Sequence, residues 1–311
     1  MLSPRFAWQL SVAALFLLVL AVLAGCGDNP ATPTAIVPTA TVPPSDTATP
    51  IVPPTETQPP IPTSTSTPEA TATPLFVPIP ESERGFVPIL CYHHIRDWVA
   101  SDTEDDRAYI VPPAKLDAQL SWLKENGYTT VTSEQVYEYV KNGKPLPVKP
   151  IMLSFDDNDD NQYTNAMPLL KKYGMTATFF IMTVTLDKEN YMTSEQVKEL
   201  DQAGFDVQPH TWDHHMVTGY TTDDDWQQQL VEPKKTLEDL LGHPTPFFAY
   251  PFGIYDATAA TKLAEFGYKG AFRLVEIMDD TVPREYAIER RITNGYWTAD
   301  QFATVVEGGW E

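Results

Sequence analysis

From about residue 86 onward, apolar positions recur in two alternating rhythms. Short runs rich in strand formers read as buried strands: "FVPILCYH" (86–93), "KPIMLSFDD" (149–157), "MTATFFIM" (175–182) and "PFFAY" (246–250). Shorter candidates are "YTTV" (128–131), "FDVQ" (205–208), "YKGAF" (268–272) and "AIERRIT" (287–293). Between them apolar residues fall at helical spacing. Leu116, Leu120 and Leu123 do so in "PPAKLDAQLSWLKENG" (112–127), which proline opens and glycine closes. "SEQVYEYVKNG" (133–143) predicts a helix capped by Ser133. Residues 223–242 predict another, kinked at Pro233. Further helices are expected over 165–174, 193–204, 256–267 and 298–309.

This strand–helix alternation, about seven times over, predicts an α/β fold with parallel strands, closed or nearly closed into a barrel. Such barrels carry their functional groups at the C-terminal ends of strands. Asp156 and Asp157 end one predicted strand, and His210 follows another. His93 and His94 end a third, and Tyr250, Pro251 and Phe252 follow a fourth.

The first 80 residues break the rhythm. Residues 1–26 place Arg5 before a long apolar run and then small residues, the pattern of a signal peptide. The run ends in "LAGC" (23–26), which resembles a bacterial lipobox. That resemblance implies cleavage before Cys26 and lipid on its sulfur, so that buried methylenes anchor the chain to a membrane. Residues 27–80 are dominated by Pro, Thr, Ala and Ser. Proline fixes φ and removes a donor, so a disordered, extended linker is expected there. The folded domain is then residues 81–311, in a protein expected to be extracytoplasmic and lipid-anchored. A net charge of −21 argues against nucleic acid and against an electrostatic grip on anionic lipid. With Cys26 lipidated, Cys91 has no disulfide partner, since the chain has only two cysteines.

The chemistry lies in the polar residues at the strand ends. The chain has six histidines, and "HTWDHH" (210–215) holds three of them. Two adjacent aspartates resist ionising together unless a cation sits nearby. Imidazole nitrogen with carboxylate oxygen suits zinc or a similar divalent ion, and one Asp with two His leaves positions open for catalysis. The plainer possibility is a helix-capping aspartate among solvated histidines.

"SFDD" (154–157) followed by "HTWDH" (210–214) resembles the polysaccharide deacetylase family, carbohydrate esterase family 4, which carries the NodB-homology fold. The resemblance spans about residues 86–308. It implies a distorted (β/α)7-type barrel, a divalent metal, most simply Zn2+, and removal of acetyl groups from N- or O-acetylated sugars of a polysaccharide substrate. Carried over residue by residue, it makes Asp156 the general base and Asp157, His210 and His214 the metal ligands. His215 is a rival for the last place. "AYPFG" (249–253) resembles the third family motif, which makes the N–H of Phe252 the oxyanion donor. "CYHHI" (91–95) resembles the early Tyr-His motif of the permuted branch, which includes poly-N-acetylglucosamine deacetylases. It points to His93 as the general acid. Asn158 stands where the family has glycine, and Ala249 where it has arginine. Arg291 is expected to replace that arginine in holding the base. Three functions follow: an amino-sugar N-deacetylase, an O-acetyl carbohydrate esterase, and a lipid-anchored carbohydrate-binding protein that has lost catalysis.

Overall fold

The computed structural model describes residues 76–274 and 279–309. The lipobox-like segment and all but the end of the Pro/Thr-rich linker lie outside the described residues. Among those described, no helix is long and apolar enough to cross a membrane.

The strands are β1 (Ile89–Tyr92), β2 (Thr129–Thr130), β3 (Pro150–Asp156), β4 (Thr178–Ile181), β5 (Asp206–Pro209), β6 (Phe247–Ala249), β7 (Gly270–Arg273), β8 (Ile288–Glu289) and β9 (Arg291–Ile292). All pair in parallel. One sheet runs β5-β4-β3-β1-β9, with β2 on the start of β3, and a second runs β6-β7-β8. The expected single last strand is split at Arg290. Its N–H donates to the carbonyl of Arg273 on β7, and three residues on Thr293 donates to Cys91 on β1. One segment thus begins in one sheet and ends in the other. At the opposite seam the Gln208 side chain on β5 accepts from the Phe247 N–H on β6 at 2.9 Å. A side-chain amide replaces a ladder there, and the barrel is distorted for that reason. Counting β8 and β9 as one position and setting β2 aside, the ring has the seven staves expected.

Strand alternation sorts the side chains. Leu90, Tyr92, Leu153, Phe155, Phe179, Ile181 and Val207 pack outward into the layer beneath the helices. Ile89, Met152, Phe180, Phe247, Ala249 and Phe272 fill the interior. The same period continues inward through Cys91 and His93, through Ser154 and Asp156, and through Gln208 and His210. The polar site is therefore the top layer of the barrel's own filling.

Two helix expectations are corrected. Thr132, not Ser133, caps the helix Ser133–Asn142, in a capping box with Gln135. The Ser133 hydroxyl instead donates to Asp206. The irregularity near Pro233 is a π-helical turn at Gln227–Val231, ahead of the proline, which sits in the first turn of the helix Glu232–Leu241.

Candidate active site

Asp157 leaves β3 at φ 75° and Asn158 follows at φ 44°. Thr211 (φ 69°), His214 (φ 67°) and Phe252 (φ 58°) are left-handed too, so five of the eight such non-glycine residues described lie around one rim. Left-handed backbone is unfavourable for these side chains and collects where function over-determines geometry.

The turns bring Asp157, His210 and His214 together, with one donor atom from each within 4.8 Å of the others. The Asp157 carboxylate oxygen is 3.5 Å from His210 Nε2 and 3.6 Å from His214 Nε2. His210 Nδ1 is 2.7 Å from the carbonyl of Ala249 and must donate to it, which leaves the Nε2 lone pair facing the carboxylate. That Asp157 oxygen is buried and has no hydrogen-bond partner. Lone pairs held this way repel one another unless a cation lies among them. Donors about 2.0–2.1 Å from a tetrahedral ion stand about 3.3 Å apart, close to the spacing here. The residues present fit a divalent ion. Burial pushes the Asp157 carboxyl up to about 6 and the His210 imidazole down to about 3. Burial also lowers His214. The imidazoles are thus neutral, as ligands must be. His215 is exposed, faces Tyr220 and is not in the cluster.

Asp156 is different. It is 1% exposed, and burial alone would raise its pKa. Arg290 overrides burial and holds the carboxyl well below the usual carboxylate range. The guanidinium donates twice, Nη1 to Oδ1 at 2.6 Å and Nη2 to Oδ2 at 2.8 Å. This corrects the expectation for Arg291, whose guanidinium pairs with Glu289 at 2.8 Å. Alternation explains the difference: Ile288 and Arg290 share the inward face, and Arg291 takes the other. That period-two pattern in "AIERRIT" was the signal available in the sequence.

His93 lies inward at the end of β1. One of its nitrogens is within 4.8 Å of both a carboxylate oxygen of Asp156 and the Cys91 sulfur. Its Nδ1 is buried without a partner, and burial lowers its pKa. His94 instead pairs with Asp159 at 2.9 Å, which gives that extra aspartate a partner of its own. Burial works against the charged form of His94, but Asp159 outweighs it and raises the pKa. Phe252 is 55% exposed and sets its ring edge-on to His214, with centroids 4.5 Å apart.

Three buried amides fasten these groups, and two of them, Gln162 and Gln229, belong to no motif. Gln162 donates to the carbonyls of His93 (2.9 Å) and Asp156 (2.5 Å) and so ties the ends of β1 and β3. Gln229 accepts from the Trp212 N–H and donates to Asp213, holding the 210–215 loop. Both lie in π-helical turns, Gln162–Ala166 and Gln227–Val231. Asn158 accepts from the Met182 N–H at 2.9 Å and donates to the Thr185 hydroxyl at 2.9 Å, contacts that glycine cannot make.

The family profile described as polysaccharide deacetylase matches residues 143–271, which include both aspartates and all three histidines of the 210–215 loop. Over those residues the chain is similar to the polysaccharide deacetylase family. YxkH of Bacillus subtilis, whose name assigns it provisionally to polysaccharide deacetylases, is 31% identical over 183 residues. That match covers 59% of this chain and 62% of YxkH, less than two thirds of the relative's length. A poly-beta-1,6-N-acetyl-D-glucosamine N-deacetylase of Staphylococcus aureus is 26% identical over 222 residues, 65% of this chain and 76% of that one. Among solved structures, the Streptococcus pyogenes deacetylase PplD, in complex with acetate, is 28% identical with a TM-score of 0.64, covering 71% of this chain and 97% of that one. The polysaccharide deacetylase barrel is thus the fold of this chain.

Proposed function

We propose that this chain is a divalent-metal-dependent hydrolase that removes acetyl groups from N-acetylated amino-sugar polymers. One observation carries the reading: a buried carboxylate oxygen of Asp157 with no hydrogen-bond donor, flanked by two imidazole nitrogens at 3.5 and 3.6 Å. Asp157, His210 and His214 would hold the ion, with zinc the metal that best suits one oxygen and two nitrogens. Bound there, a dication supplies Lewis acidity to water and to the acetyl carbonyl.

The chain's own residues do the rest. Arg290 keeps Asp156 ionised and fixed, so it can accept a proton from the attacking water. The water oxygen bonds to the acetyl carbon, and the C–N bond breaks to leave acetate and an amine. The amine needs a proton, which His93 would deliver. Burial keeps His93 neutral, so it must gain that proton during the cycle, and Asp156 is the nearby source. Asp156 is a weak base with a lowered pKa, and it passes the proton on readily. The Phe252 N–H is the candidate donor to the developing oxyanion.

The departures from family pattern favour an enzyme over a binding protein that has lost catalysis. Asn158 keeps the left-handed turn, Arg290 fills the arginine's role, and the Ala249 carbonyl orients His210. The S. aureus relative supports amino-sugar amides as substrates. On sequence alone, we propose that the protein is lipid-anchored through Cys26 outside a bacterial membrane.

The test is acetate release from a panel of N- and O-acetylated glycans, with zinc added and with chelator. Zinc-dependent release from N-acetylated polymer is expected. Zinc retention with no release from any substrate would contradict catalysis. His93→Ala separates the substrates, because amide leaving groups need the proton more than ester ones. Loss on amides with activity kept on esters is expected, and equal loss on both would reject the acid role.

A further inference from the structure

A second feature of this barrel is a line of aromatic rings leading away from the rim. Tyr109 is 44% exposed and sets its ring edge-on to His93, with centroids 5.3 Å apart. Its turn is clamped to a second turn that carries Tyr296, also 44% exposed. The Gly295 N–H donates to the carbonyl of Ala108 at 3.0 Å. A Cβ at Gly295 would stand 2.1 Å from the carbonyl oxygen of Ile110 and 2.2 Å from that of Arg107, so only glycine allows the approach. Trp98 sits in this junction. Its indole N–H donates to Ile110 at 3.0 Å, and its ring lies 5.1 Å from that of Tyr296. Arg107 and Lys115 both approach the Trp98 ring at 5.5 Å, so its orientation is fixed.

Beyond Tyr296 the surface opens into a pocket of about 340 Å³, walled by Trp122, Trp297 and Phe302, with Lys115, Gln119 and Thr298 among its polar groups. Gln119 is itself held from the barrel, since its Oε1 accepts from the Tyr92 hydroxyl at 3.0 Å. Aromatic faces with a few fixed polar groups are what a sugar ring needs, apolar C–H on one side and hydroxyls at the edge. A simple core would bury Tyr109 and Tyr296 rather than leave both half exposed.

We propose that Tyr109, Trp98, Tyr296 and the Trp122–Trp297 pocket form an extended glycan path, continuous with the His93 side of the site. It would bind sugar units of the polymer remote from the one being deacetylated. This rests on the polysaccharide reading of the site, and it adds that the chain grips a polymer rather than a terminal unit. The occupant is the substrate's own continuation, because the path begins at His93.

The test uses dimeric and hexameric N-acetylglucosamine oligosaccharides as probes, with binding measured by calorimetry on the zinc-loaded Asp156→Asn chain. Tyr296→Ala in that background should lower the hexamer-to-dimer affinity ratio about threefold to tenfold, the loss expected for one aromatic contact. Tyr296→Trp should restore it. Tyr296 is exposed, and unchanged melting verifies that the fold is intact. An unchanged ratio in Tyr296→Ala would overturn the path. The two readings fail separately. If no acetylated glycan is ever deacetylated but the ratio still depends on Tyr296, the catalytic reading falls and the path stands. If acetate is released and the ratio ignores Tyr296, the path falls alone.

Discussion

Two polar regions of the barrel look alike in composition and differ in how their charges are settled. Beside the entry to β1 lies a pocket of about 360 Å³ bordered by Arg84, Arg273, Arg284, Arg291, Glu81 and Glu289. There arginines meet glutamates: Arg273 and Arg291 on Glu289, and Arg284 on Glu81. At the rim, Asp156 is settled by Arg290, while Asp157 beside it points a buried oxygen at two imidazoles and no donor. Charges that find partners within the fold explain themselves as structure. A buried charge left without one implies a ligand from outside. The backbone agrees, because left-handed non-glycine residues gather at the rim.

Arg290 and Arg291 allow the sharpest test of that contrast, being neighbours in sequence. Removing Arg290 leaves a buried carboxylate without its partner, which costs about 3–5 kcal/mol. Arg290→Met should therefore lose a large share of stability in urea titration. Arg291→Ala removes a partly exposed pair and should cost about 1 kcal/mol or less. Equal losses would erase the distinction. The pH dependence has a definite sign. The folded pKa of Asp156 is depressed, so its contribution is complete above the unfolded value of about 3.9 and is lost as pH falls through the folded one. The gap between wild type and Arg290→Met should shrink in acid, and a gap that widens would contradict the pairing.

Catalysis should separate the two aspartates. Asp156→Asn is expected to lower kcat by about 100- to 10,000-fold, the range for a positioned base, with bound zinc unchanged. A variant that keeps wild-type turnover would remove Asp156 from the mechanism. Asn158→Ala gives up the amide bonds to Met182 and Thr185 but keeps the strained backbone, and should cost about 1–3 kcal/mol. Asn158→Gly relieves the strain and should cost less. The reverse order in melting experiments would mean that the amide is idle. At the entry pocket, Arg284→Ala breaks an exposed pair with Glu81 and should change stability by less than about 1 kcal/mol.

Much of this was legible in the sequence, for physical reasons. Apolar periodicity marks the seven staves, because a buried parallel strand must be apolar on both faces. "SFDD" and "HTWDH" mark the residues Asp157, His210 and His214 that the structure groups closely enough to hold a metal ion. The motif "HTWDH" favours His214 over His215, and the structure, with left-handed backbone at Thr211 and His214, groups His214 with Asp157 and His210. Arg290 rather than Arg291 reaches Asp156 because strand alternation turns it inward, a pattern that an apolar run alone does not show. Gln162 and Gln229 carry no motif. Their roles arise from π-helical turns that bring distant backbone within reach, and local pattern does not report such contacts.

The direct test is the metal content of purified chain after zinc loading and desalting, wild type beside Asp157→Asn. Wild type should retain a single ion, and the variant should lose it while melting at an unchanged temperature once both are stripped. Equal zinc in the two proteins would show that Asp157, His210 and His214 do not share an ion.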